Sequence, residues 1–600
     1  MLSSLFRKKT IEKIVSDSHL AASDSHGTGL HKVLKLKDLT FFGIAAILGA
    51  GSFSSLGGAV FHGGPGVVIL FGITAVACAF TAFCYSEFAS RIPVAGSAYT
   101  YAYASFGELF AWMIGWALIM EYSIGNIYVA YSWSDYFTSF LGKLNIHLPE
   151  YLCTSYMEVK HEIVTGTTNP AVLDAWNHSP VVGGLRIIFD LPALIINLFI
   201  TALVYKGVKE SRNFSNVMVI LKMIVVGLVI LVGGYLVFSN GLTVNWMPAN
   251  DVGVQSFMPN GFGGVMMAVS GVFFAYIGFD AVSVLAEESE NPQRDLPKGM
   301  ILSLVICTIV YILLTLVLTG AVNYRNFDGV GDPLAFIFEK QNLNVGWMQF
   351  FVAIAAVVAM TSVLLVFQMG QPRIWMSMSR DGLLPPVFQK IHPKYKTPSF
   401  ATIVTGLVVG VPILFTDKTF VLDFTSIATL FAFVLVCGGV LLIPRKEKEA
   451  GKFHIPYING QIIFPVIVLV SLGVAYWLNH HYFQELFSFS LTEVETKAAV
   501  VGIDVSKPAI VQLNIENALM AKKTLHISTL IFWLSCFLIS IISFVKKYSL
   551  IPLLGLSTCM YLLTGMTAKN WAWFASWLAL GLVVYFSYGY KKSKLNTSTK

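Results

Sequence analysis

Charged residues are scarce in this chain. Asp, Glu, Lys and Arg make up 12% of its 600 residues, whereas a soluble globular domain carries about 25%. The hydrophobic content of 56% and the mean hydropathy of +0.70 point the same way. This composition excludes a soluble globular protein and predicts a polytopic membrane protein.

Cysteine and histidine are also few, and neither type forms a cluster. The seven cysteines lack the spacing of a disulfide framework or a metal site. No His-Glu-x-x-His motif is present, and the twelve histidines fall in predicted loops or at span ends. We therefore expect no metal, no cofactor and no enzymatic activity. The basic residues are dispersed among short loops, so nucleic acid is not an expected partner.

Apolar windows of about 20 residues, long enough to cross a bilayer, recur along the whole chain. They predict an all-α fold with about fourteen transmembrane helices, which we number as spans one to fourteen. The predicted ranges are 38–60, 66–87, 107–141, 187–205, 213–239, 262–286, 299–323, 346–372, 398–416, 422–443, 461–478, 526–545, 549–566 and 571–589.

The charge of the loops predicts an orientation. The loop 240–261 contains no Lys or Arg, whereas the loop 371–397 contains Arg373, Arg380 and three lysines. The positive-inside rule therefore places 371–397 in the cytoplasm, and an even number of spans places both termini there as well. We predict a multi-pass protein of a cell membrane, the inner (plasma) membrane of a bacterium.

The positions of glycine predict an internal repeat. Spans one and six are both interrupted by glycine, which suggests two five-helix units at 38–239 and 262–443. Because five is odd, the second unit would enter the membrane from the opposite side, as in inverted-repeat transporters. The remaining predicted segments are cytoplasmic tails at 1–37 and 591–600, four extra spans within 461–590, and long outside loops at 142–186 and 479–525.

Span one is interrupted at Leu48-Gly49-Ala50-Gly51. Backbone at membrane depth is broken only where it lines a cavity or binds something. A half-helix that begins near Ser52 would direct its N–H groups and positive dipole end toward the membrane centre, which suits a carboxylate. Another interpretation stays open, because Gly49 and Gly51 could serve only the close packing of helices.

Span six is interrupted near Gly278, so its first half would end near Phe274 and Ala275 with free carbonyls. Carbonyls at the negative end of a helix dipole suit an ammonium group. Together the two breaks predict a binding site for an α-amino acid. Asp280 could also contact the ammonium, although we favour the N-cap of the second half of span six as its role.

Two further ionisable residues lie deep in apolar spans. Lys222 is near the middle of span five. Inserting a charged lysine at that depth of a membrane costs about 2.5 to 3.5 kcal/mol of free energy. A buried lysine that faces a gated cavity can load and release a proton, so we predict a proton-coupling role. The alternative is a permanent structural ion pair. Glu121 in span three is predicted as the partner of Lys222 or as a second proton carrier, unless it makes only a structural hydrogen bond.

Several ordered motifs carry a family resemblance. They are Leu48-Gly49-Ala50-Gly51, Cys84-Tyr85-Ser86-Glu87-Phe88-Ala89, Pro93-Val94-Ala95-Gly96-Ser97-Ala98-Tyr99, Gly115-Trp116, Leu118-Ile119-Met120-Glu121-Tyr122, Phe274-Ala275-Tyr276-Ile277-Gly278-Phe279-Asp280, Glu287-Glu288 with Asn291-Pro292-Gln293-Arg294, and Met378-Ser379-Arg380-Asp381-Gly382-Leu383-Leu384-Pro385. Over about 34–445 the chain resembles the amino acid-polyamine-organocation superfamily, in particular its cationic amino acid transporter family and the related bacterial amino acid permeases.

The resemblance implies a LeuT-type fold, alternating access and specific site residues. Lys222 matches the fifth-helix lysine that replaces Na⁺ in proton-coupled members, and Glu121 matches a third-helix acid. Ser52-Phe53-Ser54 departs from the branched, aromatic and hydrophobic residues that relatives usually have there, which leaves the size and polarity of the substrate undetermined. The implied backbone contacts are Gly49, Ala50, Gly51 and Ser52 for the carboxylate, and Phe274, Ala275 and Ile277 for the ammonium.

We interpret the chain as a proton-coupled symporter of α-amino acids, with protons and the lipid bilayer as its other partners. Side-chain contacts are expected from Ile47, Phe274 and Ile277 and from span eight near Met360, which favours neutral substrates. Two other functions stay open. They are an amino acid exchanger or facilitator without net proton movement, and an amino acid sensor on a transporter scaffold.

Overall fold

The computed structural model of this protein describes most of the chain. The described residues are 5–16, 34–49, 51–94, 96–165, 169–206, 211–249, 253–395, 397–444, 452–478, 480–491, 496 and 508–597.

Helices occupy all fourteen predicted spans. In order they are Leu36–Ile47, Gly51–Ser55 and Leu56–Gly63 (span one), Val67–Arg91 (two), Glu108–Lys143 (three), Leu191–Lys206 (four), Ser211–Leu228, Val229–Gly233 and Gly234–Ser239 (five), Gly261–Met267, Val269–Tyr276 and Asp280–Glu288 (six), Pro292–Ala321 (seven), Gly346–Arg380 (eight), Ser399–Ile413 (nine), Lys418–Leu442 (ten), Gly460–Leu478 (eleven), Pro508–Lys546 (twelve), Leu550–Leu563 (thirteen), and Ala568–Val584 with Tyr585–Gly589 and Tyr590–Lys592 (fourteen).

Short helices and one small hairpin connect the spans. The hairpin pairs the antiparallel strands Val181–Val182 and Leu185–Arg186. The short helices are Gly64–Gly66, Ala98–Ser105, Glu150–Leu152, Tyr156–Thr165, Pro170–His178, Leu242–Trp246, Tyr324–Phe327, Pro333–Phe336, Pro386–Gln389, Tyr482–Leu486 and Lys594–Thr597.

The lengths of the helices agree with a membrane protein. Nine helical stretches of described residues are long and apolar enough to cross a membrane, and the first, Leu36–Arg91, contains both span one and span two. Spans four, nine and thirteen are shorter apolar helices. Span three is long, but Glu121, Asn126 and several serines make it less apolar. The prediction of an all-α polytopic membrane protein is confirmed.

Span three lies at the centre of the bundle. Most of its side chains are buried, including Trp112 and Tyr136 at opposite ends. Small residues let span eight approach it closely: a Cβ on Gly115 would lie 2.7 Å from Sδ of Met378, and one on Gly125 would lie 3.1 Å from the ring of Phe367. Spans three and eight therefore form a tightly packed pair.

The last four spans are more peripheral than the first ten. The most apolar window of span six is 100% buried by protein, whereas that of span eleven is 17% buried. Such apolar exposure is expected where side chains face lipid. Span twelve also differs from its prediction of 526–545, because its helix already begins at Pro508 inside the predicted outside loop 479–525.

The other long predicted loop, 142–186, is folded. Its helices Tyr156–Thr165 and Pro170–His178 pack through the buried residues Val159 and Ala175. The guanidinium of Arg186 lies 4.6 Å from the centre of the Trp176 ring. This segment is therefore a small ordered cap with a core of its own.

Both ends of the described chain lie on one face of the bundle, which we call the terminal face. Arg7 donates a hydrogen bond of 3.1 Å to Oδ1 of Asn596, and its guanidinium lies 3.7 Å from the carboxylate of Glu108 at the start of span three. Part of the predicted tails 1–37 and 591–600 is thus docked on the protein.

Candidate substrate and coupling site

The first break is present where the sequence predicts it. The first half of span one ends at Ile47, and Leu48 departs from helical geometry with φ −78° and ψ 76°. A π-helical turn, Gly51–Ser55, follows, and a regular helix resumes only at Leu56. Ala50 lies outside the described residues. The regular α-helix is therefore interrupted here, and the described residues on both sides of the break, 43–49 and 51–57, are buried.

The second break interrupts span six. The helix ends at Tyr276, Ile277 is extended, and Gly278 has φ +120°, a backbone conformation that favours glycine. A 3₁₀-helix then begins at Asp280. The break thus lies between Tyr276 and Asp280, slightly beyond the predicted end near Ala275.

Glycine brings the two breaks into direct contact. A Cβ on Gly51 would lie 2.4 Å from Cα of Ala275, and a Cβ on Gly278 would lie 2.6 Å from Cβ of Ala46. Neither distance is tolerable for a real side chain. The packing role that the sequence left open is therefore real for Gly51, and it brings the two unwound segments together at the same depth.

Some backbone groups that were predicted to bind the substrate already form hydrogen bonds with neighbouring backbone groups. The Gly49 N–H donates to the Ile47 carbonyl (2.9 Å), and the Ser52 N–H donates to the Gly49 carbonyl (3.0 Å). The Ile277 N–H donates to the Phe274 carbonyl at 3.2 Å. In this conformation the amides of Gly49 and Ser52 are therefore not free donors.

Tyr311 of span seven joins the two breaks. Its hydroxyl lies 2.6 Å from the Ile47 carbonyl of span one and 2.7 Å from the Ala275 carbonyl of span six. A hydroxyl has one proton to donate, so it can satisfy only one of these carbonyls at a time. Sequence reasoning missed Tyr311, because a tyrosine in an apolar span carries no signal of what lies across from it.

Lys222 of span five contacts the end of the first half of span one. Its ammonium donates to the Ala45 carbonyl at 2.9 Å and to the Leu48 carbonyl at 2.8 Å. The side chain is fully buried. A cation at the carbonyl end of a helix is stabilised by the helix dipole, and these two bonds offset part of the cost of burying the charge. Lys222 thus contacts the break itself.

Glu121 does not pair with Lys222, and that part of the prediction is wrong. It faces Asp280 of span six and Thr429 of span ten instead. Its Oε2 is buried, and within the described part of the chain it has no hydrogen-bond partner. The two residues were expected to meet because both lie at membrane depth, but depth along a helix does not determine which neighbour a side chain faces.

Asp280 interacts with the start of the second half of span six. Its carboxylate accepts a hydrogen bond of 3.3 Å from the Gly278 N–H, and the amides of Asp280 and Ala281 also face it. It is the first residue of that helix, so it does not occupy the N-cap position itself. The carboxylate nevertheless lies where a helix N-terminus favours negative charge.

Apolar side chains surround the breaks. Ile47, Phe274, Ile277 and Met360 are all at least 95% buried. Span eight does reach this region, since a Cβ on Gly49 would lie 2.4 Å from Cγ2 of Val363. Val363 lies one helical turn from Met360, and the sequence did not single it out.

Span three contributes two aromatic residues that sequence reasoning also missed. The ring of Tyr128 meets that of Phe274 at an angle of 66°, with their centres 4.7 Å apart. The hydroxyl of Tyr136 donates a bond of 2.5 Å to the Phe53 carbonyl in the turn of span one. Both tyrosines lie at helical spacing on one face of span three, and this periodicity was the one available signal.

Comparison with known proteins gives a family match over most of the chain. The family described as amino acid permease matches residues 34–494, and a family described as the C-terminus of amino acid permeases matches residues 548–593. The first match covers every span from one to eleven. The second covers spans thirteen and fourteen.

Three similar proteins align with this chain over more than nine tenths of their own length. The branched-chain amino acid permease BcaP of Bacillus subtilis (strain 168) is 40% identical over 79% of this chain and 94% of its own. The methylthioribose transporter of the same strain is 37% identical over 84% and 96%. The vacuolar cationic amino acid transporter 2 of Arabidopsis thaliana is 30% identical over 99% and 93%.

Proposed function

Because the chain belongs to the amino acid permease family, we propose that it is a proton-coupled symporter of α-amino acids that works by alternating access. The family match confirms the resemblance to the amino acid-polyamine-organocation superfamily, and the family and the three relatives are transporters rather than enzymes. The observation that carries the proposal is the contact between the Lys222 ammonium and the carbonyls of the first break.

The proposed coupling follows from what that contact requires. An ammonium donates to the Ala45 and Leu48 carbonyls together, and a neutral amine binds a helix end less strongly because it has lost its charge. Loss of the proton from Lys222 would therefore weaken its hold on span one. If protonation has a different free energy in the two access states, it biases the exchange between them. Glu121, which does not contact Lys222, is the proposed second proton carrier.

The proposed substrate site lies between the two breaks. The substrate carboxylate would bind the amides of the turn that contains Gly51 and Ser52, and the ammonium would bind the carbonyls of Phe274, Ala275 and Ile277. Several of these groups have local partners, so the substrate must replace those bonds as it enters. A zwitterion provides both a negative and a positive group for this exchange, which supports an amino acid over a simple anion or cation.

We propose a neutral, apolar side chain for the substrate. The side chains around the breaks, Ile47, Phe274, Ile277 and Met360, are apolar and buried. The names of the relatives differ on this point, because one is a permease for branched-chain amino acids, one a methylthioribose transporter and one a cationic amino acid transporter. The apolar walls favour the first of these substrate classes.

The proposed architecture is two inverted five-helix units, 38–239 and 262–443. Corresponding breaks in spans one and six support it, as do the five spans from one break to the next. The proposed orientation puts the terminal face in the cytoplasm, as the distribution of Lys and Arg favours. The proposed location is the inner membrane of a bacterium.

Uptake into proteoliposomes tests the proposed function. Vesicles that contain the purified protein but no internal amino acid are exposed to labelled isoleucine with and without an inward proton gradient. We expect accumulation above the external concentration, driven by the gradient and electrogenic. Flux that requires internal amino acid, independent of pH, would establish an exchanger instead, and binding without flux would indicate a sensor.

Thermal unfolding with a panel of ligands tests the substrate class. Each of the twenty amino acids and methylthioribose is added separately to the purified protein, since a bound ligand raises the unfolding temperature. We expect the largest rise with branched-chain or other apolar amino acids. A rise with arginine or lysine alone, or with methylthioribose alone, would contradict the proposed class.

A further inference from the structure

The hydroxyl of Tyr311 in span seven lies between two carbonyls that belong to different breaks. It is 2.6 Å from the Ile47 carbonyl of span one and 2.7 Å from the Ala275 carbonyl of span six. All three residues are buried. The hydroxyl has one proton, so at any moment it donates to one carbonyl and leaves the other without this donor. Tyr311 therefore has two hydrogen-bonded arrangements.

The two carbonyls do not depend on Tyr311 equally. The Ile47 carbonyl also accepts a hydrogen bond of 2.9 Å from the Gly49 N–H. The Ala275 carbonyl lies beside the point where the helix of span six ends, and in the described part of the chain its donor is Tyr311. A buried carbonyl that loses its donor bears the full desolvation penalty. Without a ligand, the hydroxyl proton is therefore best placed on Ala275.

The other carbonyl, that of Ile47, belongs to the helix end that holds Lys222. The Lys222 ammonium donates to the Ala45 carbonyl at 2.9 Å and to the Leu48 carbonyl at 2.8 Å. Ile47 lies between these two residues in the sequence. The carbonyl end of a helix attracts a cation through its partial negative charge. A hydroxyl that donates to Ile47 offsets part of that charge, and so it weakens the hold of the helix end on Lys222.

A substrate ammonium would change the arrangement of Tyr311. Its proposed position includes the Ala275 carbonyl, and a charge-assisted hydrogen bond is stronger than one from a neutral hydroxyl. The displaced hydroxyl needs only to rotate about its C–O bond to donate to Ile47. The ring itself stays in place, because it packs against Phe71 and Tyr276 with ring centres 5.4 Å and 5.5 Å away. Substrate binding can therefore reach span one without a movement of the helices.

We propose that Tyr311 is a hydroxyl switch that links the substrate ammonium at span six to the Lys222 ammonium at span one. It is a positioning residue, and its phenol keeps its proton throughout. A bound substrate turns the hydroxyl toward Ile47 and loosens Lys222. Reciprocally, a charged Lys222 keeps the hydroxyl on Ala275 and weakens substrate binding. The inference rests on the proposed function, and it explains how a loaded carrier relaxes the contact between Lys222 and span one.

Other titratable groups lie close to this path. Cys307 faces both the Lys222 ammonium and the hydroxyl of the switch, and Tyr276 also faces that hydroxyl. At the start of the second half of span six, Asp280 faces Glu121. Each of these groups can add a pH dependence of its own. The response that belongs to Lys222 is therefore the difference between the wild type and a Lys222→Met protein.

Binding of isoleucine at a series of pH values tests the switch. Calorimetry on the purified protein in detergent gives the dissociation constant between about pH 5 and about pH 9. In the wild type we expect binding to tighten as Lys222 loses its charge, by roughly fivefold, which corresponds to one net hydrogen bond. Lys222→Met should lack this change and bind roughly fivefold more tightly than the wild type at the acidic end. Equal affinity of these two proteins there would overturn the inference.

Tyr311→Phe separates the switch from simple charge repulsion between Lys222 and the substrate. Without the hydroxyl, binding at the acidic end should be as tight as in Lys222→Met, and combining the two substitutions should add little, because both act on one contact. The control is Tyr276→Phe, whose lost hydroxyl donates to the Phe71 carbonyl at 3.1 Å, and it should keep the wild-type pH profile. If the pH dependence due to Lys222 survives in Tyr311→Phe, the repulsion is direct and the switch is overturned.

Proton release on binding provides a second measurement. Calorimetry in buffers of different ionisation enthalpy counts the protons that leave the protein as isoleucine binds. We expect release from the wild type and from Tyr276→Phe, but not from Tyr311→Phe, and equal release from all three folded proteins would overturn the inference. Flux reports separately on the proposed function. A wild type that binds isoleucine with the expected pH dependence but does not concentrate it would refute symport and support the switch.

Discussion

The two breaks differ in what occupies their carbonyl ends. In span one the Ala45 and Leu48 carbonyls bind the ammonium of Lys222. In span six the Ala275 carbonyl accepts a bond from the neutral hydroxyl of Tyr311, and the Phe274 carbonyl accepts one from the Ile277 N–H. The protein thus supplies a cation to one break and neutral donors to the other.

This difference suggests a division of roles between the breaks. A carbonyl end that already binds a protein cation has little capacity for a second one, whereas neutral donors are easily replaced by a charged ligand because charge-assisted bonds are stronger. We therefore expect the substrate ammonium at span six and the coupling proton at span one. Substitutions that affect one break and not the other can test this division.

The largest effect is expected from Gly278→Val. The substitution places a branched side chain at φ +120°, 2.6 Å from Cβ of Ala46, so strain and overpacking together cost on the order of 3 kcal/mol. Transport should be lost and the unfolding temperature should fall. Gly72→Val is the control, since a Cβ there meets nothing within 4 Å. Equal behaviour of the two variants would mean that the second break tolerates a side chain.

Gly51→Ala should have the next largest effect. Its Cβ would lie 2.4 Å from Cα of Ala275, so the two breaks must move apart, and we expect at least a roughly tenfold loss of uptake. Gly58→Ala on the same span is the matched control, because its Cβ meets open space. Uptake at the level of this control would show that contact between the breaks is dispensable.

Tyr311→Phe should lower the transport rate roughly fivefold, because one hydrogen bond contributes about 1 kcal/mol of net free energy. The variant removes the one donor shared by Ile47 and Ala275. The control Tyr276→Phe removes a neighbouring hydroxyl that donates to the Phe71 carbonyl at 3.1 Å. Substrate affinity, measured by calorimetry, should change in the first variant and stay constant in the second. The reverse order would argue against a role of Tyr311 at the breaks.

The smallest effect is expected from Ser55→Ala. Ser55 donates to the Gly51 carbonyl at 2.8 Å or to the Gly271 carbonyl at 3.0 Å, and so connects the turn of span one with span six. We expect about a twofold to fivefold decrease in uptake. Ser426→Ala is the control, since Ser426 bonds the adjacent carbonyl of Ser270 from span ten. A larger loss in the control would place the sensitive contact outside the breaks.

The sequence was sufficient to locate the breaks. Two local features indicated them: the glycines at 49, 51 and 278, and a lysine in the middle of span five. Within a membrane, such a glycine or lysine usually marks a functional site. The fourteen spans followed from apolar length alone. These predictions depended on residue type and on position along one helix, which a sequence reports directly.

The partners of those residues could not be predicted in the same way. Lys222 was expected to meet Glu121, yet it bonds the backbone of span one. Tyr311 and Val363 reach the breaks from spans seven and eight. Each of these contacts depends on which face of one helix packs against which face of another. The start of span twelve at Pro508 was missed because Glu516, Lys522 and Lys523 interrupt the apolar run before residue 526.

Proton-driven uptake by Lys222→Met tests the central claim most directly. Proteoliposomes with this variant are compared with wild type under an imposed inward proton gradient, and binding of the same substrate is measured in detergent. The account predicts that the variant no longer concentrates substrate but still binds it, because the site at span six remains. A Lys222→Met protein that accumulates substrate as wild type does would contradict the claim that this lysine couples protons to the first break.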